Sequence, residues 1–146
     1  MLNITVNDPN VDFDFDGVDD YTNGVTQEKD NHLTINSTTP FHLNVKSSGD
    51  LTNDADSKTL PISDIKLSAV SGTTGAMTGL DDLADNLALT NADQLILTSD
   101  KATPNGTVKI TYKAILESSD FALLDYSTAD GVQTFSATLT YTIVGD

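Results

Sequence analysis

Acidic side chains are where this chain has most capacity for chemistry. Asp12, Asp14, Asp16, Asp19 and Asp20 crowd into the run Asp12-Phe-Asp-Phe-Asp16-Gly-Val-Asp19-Asp20. The order D-x-D-x-D-G opens a calcium loop, in which hard oxygen ligands on alternate residues meet a glycine that permits the tight turn. The twelfth position of such a loop should supply a bidentate Glu, but counted from Asp12 it is Asn23. Val11, Phe13 and Phe15, between and before the acids, have the alternation of a buried strand face. Side chains two apart on a strand stand roughly 6–7 Å apart, too wide to share one ion easily. The run therefore reads as a strand with Asp12 and Asp14 on its solvent face, followed by an acidic turn. If calcium binds, Asp16, Asp19 and Asp20 in that turn are the ligands. No other cofactor is expected.

Catalytic groups are sparse. His32 and His42 are the only histidines, and cysteine is absent, which removes thiol nucleophiles, thiolate metal sites and disulfides. A serine hydrolase needs a nucleophile on a strained turn and a His oriented by a carboxylate. No G-x-S-x-G occurs. Asp pairs abound, so spacing alone does not separate a glycosidase-type carboxylate pair from acidic turns. There is no Trp to line a sugar cleft. Tyr112 and Tyr141 fall on apolar strand faces and read as core. Tyr21 and Tyr126 lie in or beside turns. The expectation is a protein without catalytic activity.

Charge narrows the partners. Seven basic residues, all Lys, stand against 22 acidic ones for a net charge of −15. Nothing here neutralises a run of phosphates, so nucleic acid is excluded as a partner. No stretch approaches the roughly 20 apolar residues of a membrane-spanning helix. The opening residues MLNITVNDPN carry neither a basic nor an apolar signal region, so export implies a signal already removed. Sequons at Asn3, Asn36 and Asn105 are what chance supplies in a chain rich in Asn and Thr.

The elements that must position these residues are strands. Of the acids, 20 are Asp and two are Glu, and Thr numbers 21. Asp favours turns and caps over helix interiors, whereas Thr fits a pleated, half-buried surface. From Phe135 the apolar residues run Phe135, Ala137, Leu139, Tyr141 and Ile143 with only Ser and Thr between them, a strict period of two. The same alternation marks Leu2 to Val6, Val11 to Phe15, Leu33 to Ile35, Phe41 to Val45, Ile65 to Ala69 and Val108 to Ala114, with a short buried run at Leu95 to Leu97. Breakers such as Ser48-Gly-Asp50, Ser71-Gly72, Pro104-Asn-Gly106 and Asp130-Gly131 separate them. One segment dissents: Leu80, Leu83, Ala84 and Leu87 fall at helical spacing, with Thr78 as N-cap and Asp81 and Asp82 in the first turn. The pattern predicts an all-β, immunoglobulin-like antiparallel β-sandwich of about seven to nine strands, with one short helix near 79–87. A length of 146 residues suits a single domain.

Several stretches add a resemblance. Val11-Asp-Phe-Asp-Phe15 through Val18-Asp-Asp-Tyr-Thr-Asn-Gly-Val25, Leu33-Thr-Ile-Asn-Ser37, Pro40-Phe-His-Leu-Asn-Val-Lys46 with Ser48-Gly49, and Leu60-Pro-Ile62 resemble secreted proteins of Bacteroidetes-type bacteria. The closing run Phe135 to Ile143 is similar to the terminal strand of fimbrial and spore-coat-U-like sandwich domains. The region from Ser71 to Leu87 matches neither. The resemblance implies an immunoglobulin-like sandwich at the bacterial cell surface or outside the cell, a fimbria-like or matrix subunit with structural or adhesive function. Its partners would be copies of itself joined by strand exchange, or other surface proteins and glycans. Leu2 to Val6 then has two readings, a strand donated to a neighbour or the protein's own first strand. The alternative function is a ligand-binding module for carbohydrate or protein, stabilised by calcium.

Overall fold

The structure, a computed structural model, describes residues 1–7, 11–15, 18–53, 58–75, 77–115 and 133–146. Its strands are β1 (Leu2–Val6), β2 (Val11–Phe15), β3 (Val25–Ser37), β4 (Phe41–Ser47), β5 (Leu51–Asn53), β6 (Lys58–Leu60), β7 (Ile65–Ser71), β8 (Leu80–Asp81), β9 (Leu87–Ala88), β10 (Gln94–Ser99), β11 (Thr103–Ala114), β12 (Gln133–Ala137) and β13 (Leu139–Gly145). A six-residue helix, α1 (Val18–Asn23), and a 3₁₀ turn at Ile62–Asp64 complete the described elements.

Every pairing is antiparallel. One sheet has the order β1-β3-β11-β7-β9, a second β13-β4-β10-β8 and a third β2-β12-β5-β6. The second and third are two ends of one layer. The β4 strand pairs with β13 from Phe41↔Gly145 to Ser47↔Leu139, and beyond a short interruption β5 meets β12 at Thr52↔Ser136. Two long strands thus run side by side through both sheets, each broken once at the same level. The five-stranded sheet packs against this layer to make an antiparallel β-sandwich.

Alternation explains the packing. Val11, Phe13 and Phe15 are buried while Asp12 and Asp14 face out, and Phe41, Leu43 and Val45 do the same on β4. Val108, Ile110, Tyr112 and Ala114 supply the inward face of β11. Phe15 and Phe135 meet edge to face at 6.0 Å between ring centres, the arrangement that aromatic quadrupoles favour. Each fully buried aromatic or aliphatic side chain stabilises by about 1.5–3 kcal/mol through removal from water.

Two expectations need correction. The described residues hold thirteen strands, not seven to nine. Part of the excess comes from the breaks that divide two long strands into β4/β5 and β12/β13, and part from the short strands β6, β8 and β9, which tertiary pairing creates. Residues 79–87 do not form a helix. Asp82 and Asn86 both have φ of 52°, in the left-handed region, and no α-helix continues through such residues. Between them Ala84 donates its N–H to Ile96 O at 2.8 Å and accepts the N–H of Ala69 at 2.9 Å. The segment therefore stitches β10 of one layer to β7 of the other. The helix that does form, α1, ends where Gly24, at φ 89°, donates its N–H to Asp20 O at 3.0 Å, a glycine-terminated helix end.

Candidate functional site

The outward face of the layer containing β4, β5, β12 and β13 carries a set of hydroxyl and carboxylate groups. Where the two long strands break, Ser47 Oγ donates to Gly49 O at 2.6 Å and Ser48 N–H donates to Thr138 O at 3.0 Å. The Ser48 bond is the last rung of the β4–β13 ladder, pairing resumes only at Thr52↔Ser136, and between them Asp50 Oδ1 accepts the N–H of Ile62 at 3.0 Å. The result is an open cleft of about 410 Å³ lined by Asp12, Ser48, Asp50, Thr52, Ser136 and Thr138, among others. Beside it lies a second depression of about 570 Å³, with Lys46, Asn91, Asp93, Thr140 and Thr142 in its wall. Ser48 borders both. On the strand next to the first cleft, Thr134 Oγ1 donates to Asp14 Oδ1 at 2.6 Å. Hydroxyl and carboxylate groups dominate these walls, so the surface is built to exchange hydrogen bonds.

Of the acids singled out from the sequence, the described ones fall on two elements. Asp12 and Asp14 sit exposed on β2. Asp19 and Asp20 lie on α1, the first exposed and the second half-buried. Asp16 lies outside the described residues, as does Tyr126, and Tyr21 falls on α1. Among the described residues no three His, Cys, Asp or Glu side chains converge as a metal site. His42 is on the polar face of β4, with Nδ1 2.7 Å from Asp146 Oδ1. That contact ties the end of β13 to β4. Leu95, expected in a buried run, is 44% exposed, because a register shift between Leu95 and Leu97 turns it outward.

One cluster escaped the sequence reading. His32, Tyr112 and Tyr141 are all buried and meet between the two layers, the His32 ring lying 5.6 Å from Tyr112 and 5.8 Å from Tyr141. His32 Nδ1 is 2.8 Å from Asn7 O and Nε2 is 2.9 Å from the Tyr112 hydroxyl, which in turn bonds the Tyr141 hydroxyl. A carbonyl can only accept, so Nδ1 donates to it. In a neutral imidazole Nε2 then accepts from Tyr112, and Tyr112 accepts from Tyr141. Burial pushes both phenols well above their ordinary value, and for Tyr141 the adjacent Tyr112 pushes the same way. The cluster lines neither cleft, so its work is to clamp β3 and β11 to β13.

His32 was missed because the period of two fails there. The pairing of β3 with β11 shifts between Val108↔Leu33 and Ile110↔Lys29, and the shift turns both His32 and Leu33 inward.

The strand edges are the other notable feature. Asn7 N–H donates to His32 O and Thr38 N–H to Met1 O. With the Leu2↔Ser37 to Val6↔Leu33 register, the backbone groups of Leu2, Ile4 and Val6 must therefore point away from β3. On β13, Ser48 N–H donates to Thr138 O and Asp146 N–H to Pro40 O. By the same alternation the groups of Leu139, Tyr141, Ile143 and Gly145 point away from β4. The two strands lie close together across the gap between layers, yet no ladder joins them among the described residues. Residues 1–7 and 139–145 include no Asp, Glu, Lys or Arg. No family model, curated protein or solved structure matches the chain.

Proposed function

We propose that the protein is a non-catalytic structural or adhesive component of the bacterial cell surface or extracellular matrix, assembling with copies of itself through its first strand. The observation that carries this reading is the uncharged seam between β1 and β13. Among the described residues the β1 strand pairs along one side only, with β3, and its apolar side chains are incompletely covered, Leu2 being 37% exposed. Withdrawing it breaks one ladder and the bond from His32 Nδ1 to Asn7 O, and uncovers two half-buried side chains, Ile4 and Val6. The same strand from a second copy restores every one of those contacts, so exchange changes the free energy little apart from loop strain and association entropy. Local neutrality matters because two chains of charge −15 repel, and an uncharged rim is where that repulsion is weakest. An Asp- and Thr-rich, cysteine-free surface suits an exported domain that relies on its core for stability.

The test is assembly. The full chain should form oligomers whose mass, read by light scattering, rises with concentration. A form lacking residues 1–7 should stay monomeric, and a synthetic peptide copying residues 1–10 should raise its melting temperature. A full chain that remains monomeric, together with a peptide that leaves the truncated form unchanged, overturns the reading.

A further inference from the structure

We infer that the cleft at the paired strand breaks is a binding site for sugar units of neutral or amino-bearing glycans. The inference is independent of strand exchange, because the cleft lies on the outward face of the layer and involves neither β1 nor the seam. Three observations carry it. First, β4/β5 and β12/β13 are interrupted at the same level and held to each other there by the Ser48–Thr138 bond. An uninterrupted sheet would present a flat pleat, whereas the double break hollows out about 410 Å³, about the volume of a small-ligand site.

Second, the groups around the hollow are complementary to vicinal hydroxyls. Asp12 and Asp50 supply carboxylate acceptors, and Ser48, Thr52, Ser136 and Thr138 supply hydroxyls that both donate and accept. A sugar diol donates to a carboxylate through charge-assisted hydrogen bonds while its ring oxygens accept from hydroxyls. Asp50 is already fixed by the Ile62 N–H, so one acceptor is positioned before any ligand arrives. Third, the sign of charge selects among glycans. Among the described residues the lining holds two carboxylates and no basic side chain, in a chain of charge −15. Sulfated or carboxylated sugars are repelled, whereas a hexose is tolerated and a protonated amino sugar is attracted.

Among the described residues the lining includes no aromatic ring. Without stacking, affinity comes from hydrogen bonds alone, so single-site binding is weak and many copies on one surface are needed for retention. The second depression, sharing Ser48 with the first, gives a longer chain room for a further unit along the Thr140 and Thr142 row.

The probe is an array of neutral, amino and acidic oligosaccharides, read with the full-length protein displayed on beads. The isolated protein is then titrated with the best neutral or amino oligosaccharide, following amide shifts by NMR. Binding to neutral or amino glycans is expected, with shifts at Ser48, Thr52, Ser136 and Thr138. The double variant Asp12→Ala, Thr138→Val should weaken it at least tenfold while keeping the parent melting temperature, since both side chains are exposed. The single variant Asp12→Asn provides a second reading if the double one loses its fold. No retention of neutral or amino glycans, retention of acidic glycans alone, or binding unaffected by these variants each overturns the assignment. Strand exchange is read separately by oligomer mass, so either proposal can fail without the other.

Discussion

His32, Tyr112 and Tyr141 show how much a few polar side chains can do inside an apolar core. Tyr112 is the middle of the chain of bonds. Tyr112→Phe removes from His32 Nε2 and from the Tyr141 hydroxyl the group each bonds to, and should cost about 1–3 kcal/mol. Tyr141→Phe removes only the end of the chain and should cost less, about 0.5–1.5 kcal/mol. Urea midpoints of the two variants give the order, and equal costs would show that the chain of bonds does not run as described. The same burial predicts alkaline instability. Both phenols ionise less readily folded than unfolded, so above pH ~10 the unfolded chain carries fewer protons than the native one. Stability is then fully present below that pH and falls as pH rises, by about 1.4 kcal/mol per pH unit for each tyrosine that stays protonated. Ultraviolet titration should show at least two tyrosines that resist ionisation until the protein unfolds. The burial of Tyr112 and Tyr141 was legible from the alternation of their strands. Their histidine partner was not, because a register shift that depends on the pairing of β3 with β11 turns His32 inward.

At the scale of elements, local spacing and tertiary pairing compete. Leu80, Leu83, Ala84 and Leu87 have helical spacing, but the open edges of β7 and β10 offer Ala84 a partner for each of its backbone groups. Satisfying two sheet edges outweighs one turn of helix, which is marginal at this length. Gly72 marks another place where packing dictates sequence. Its N–H donates to Thr107 O at 2.8 Å, and a Cβ there would collide with Thr107 Oγ1 and Asn31 Oδ1. Asn31 Oδ1 collects the N–H groups of Thr73 and Thr74 and the Thr107 hydroxyl, at 3.1, 3.2 and 3.1 Å. Gly72→Ala should displace that hub and destabilise by about 1–3 kcal/mol. At Gly49 nothing lies within 4 Å of an added Cβ, so Gly49→Ala should be neutral or slightly stabilising. Thermal melts of the two variants side by side test the contrast. The strand runs themselves were legible wherever one face is apolar. The polar stretch from Thr26 to Asn31 was not, because only its ladder with β11 makes it a strand.

For the molecule as a whole, charge is the property that can be read directly from the sequence. A net charge of −15 on 146 residues makes the compact state repel itself, and salt screens that repulsion over about 8–10 Å at moderate ionic strength. The melting temperature should rise between low salt and about 0.15 M sodium chloride. Self-association should strengthen in the same range, and a melting temperature independent of salt would show that the acids are too dispersed to matter. The all-β class, the inward faces of the main strands and the exposure of Asp12 and Asp14 were determined by the sequence, because period-two alternation needs no knowledge of a partner strand. Which edges remain open, where two long strands break together, and which polar groups meet in the core were decided only in three dimensions. Those features depend on register between segments as far apart as Asp14 and Thr134, and register is a property of pairs of strands rather than of any one of them.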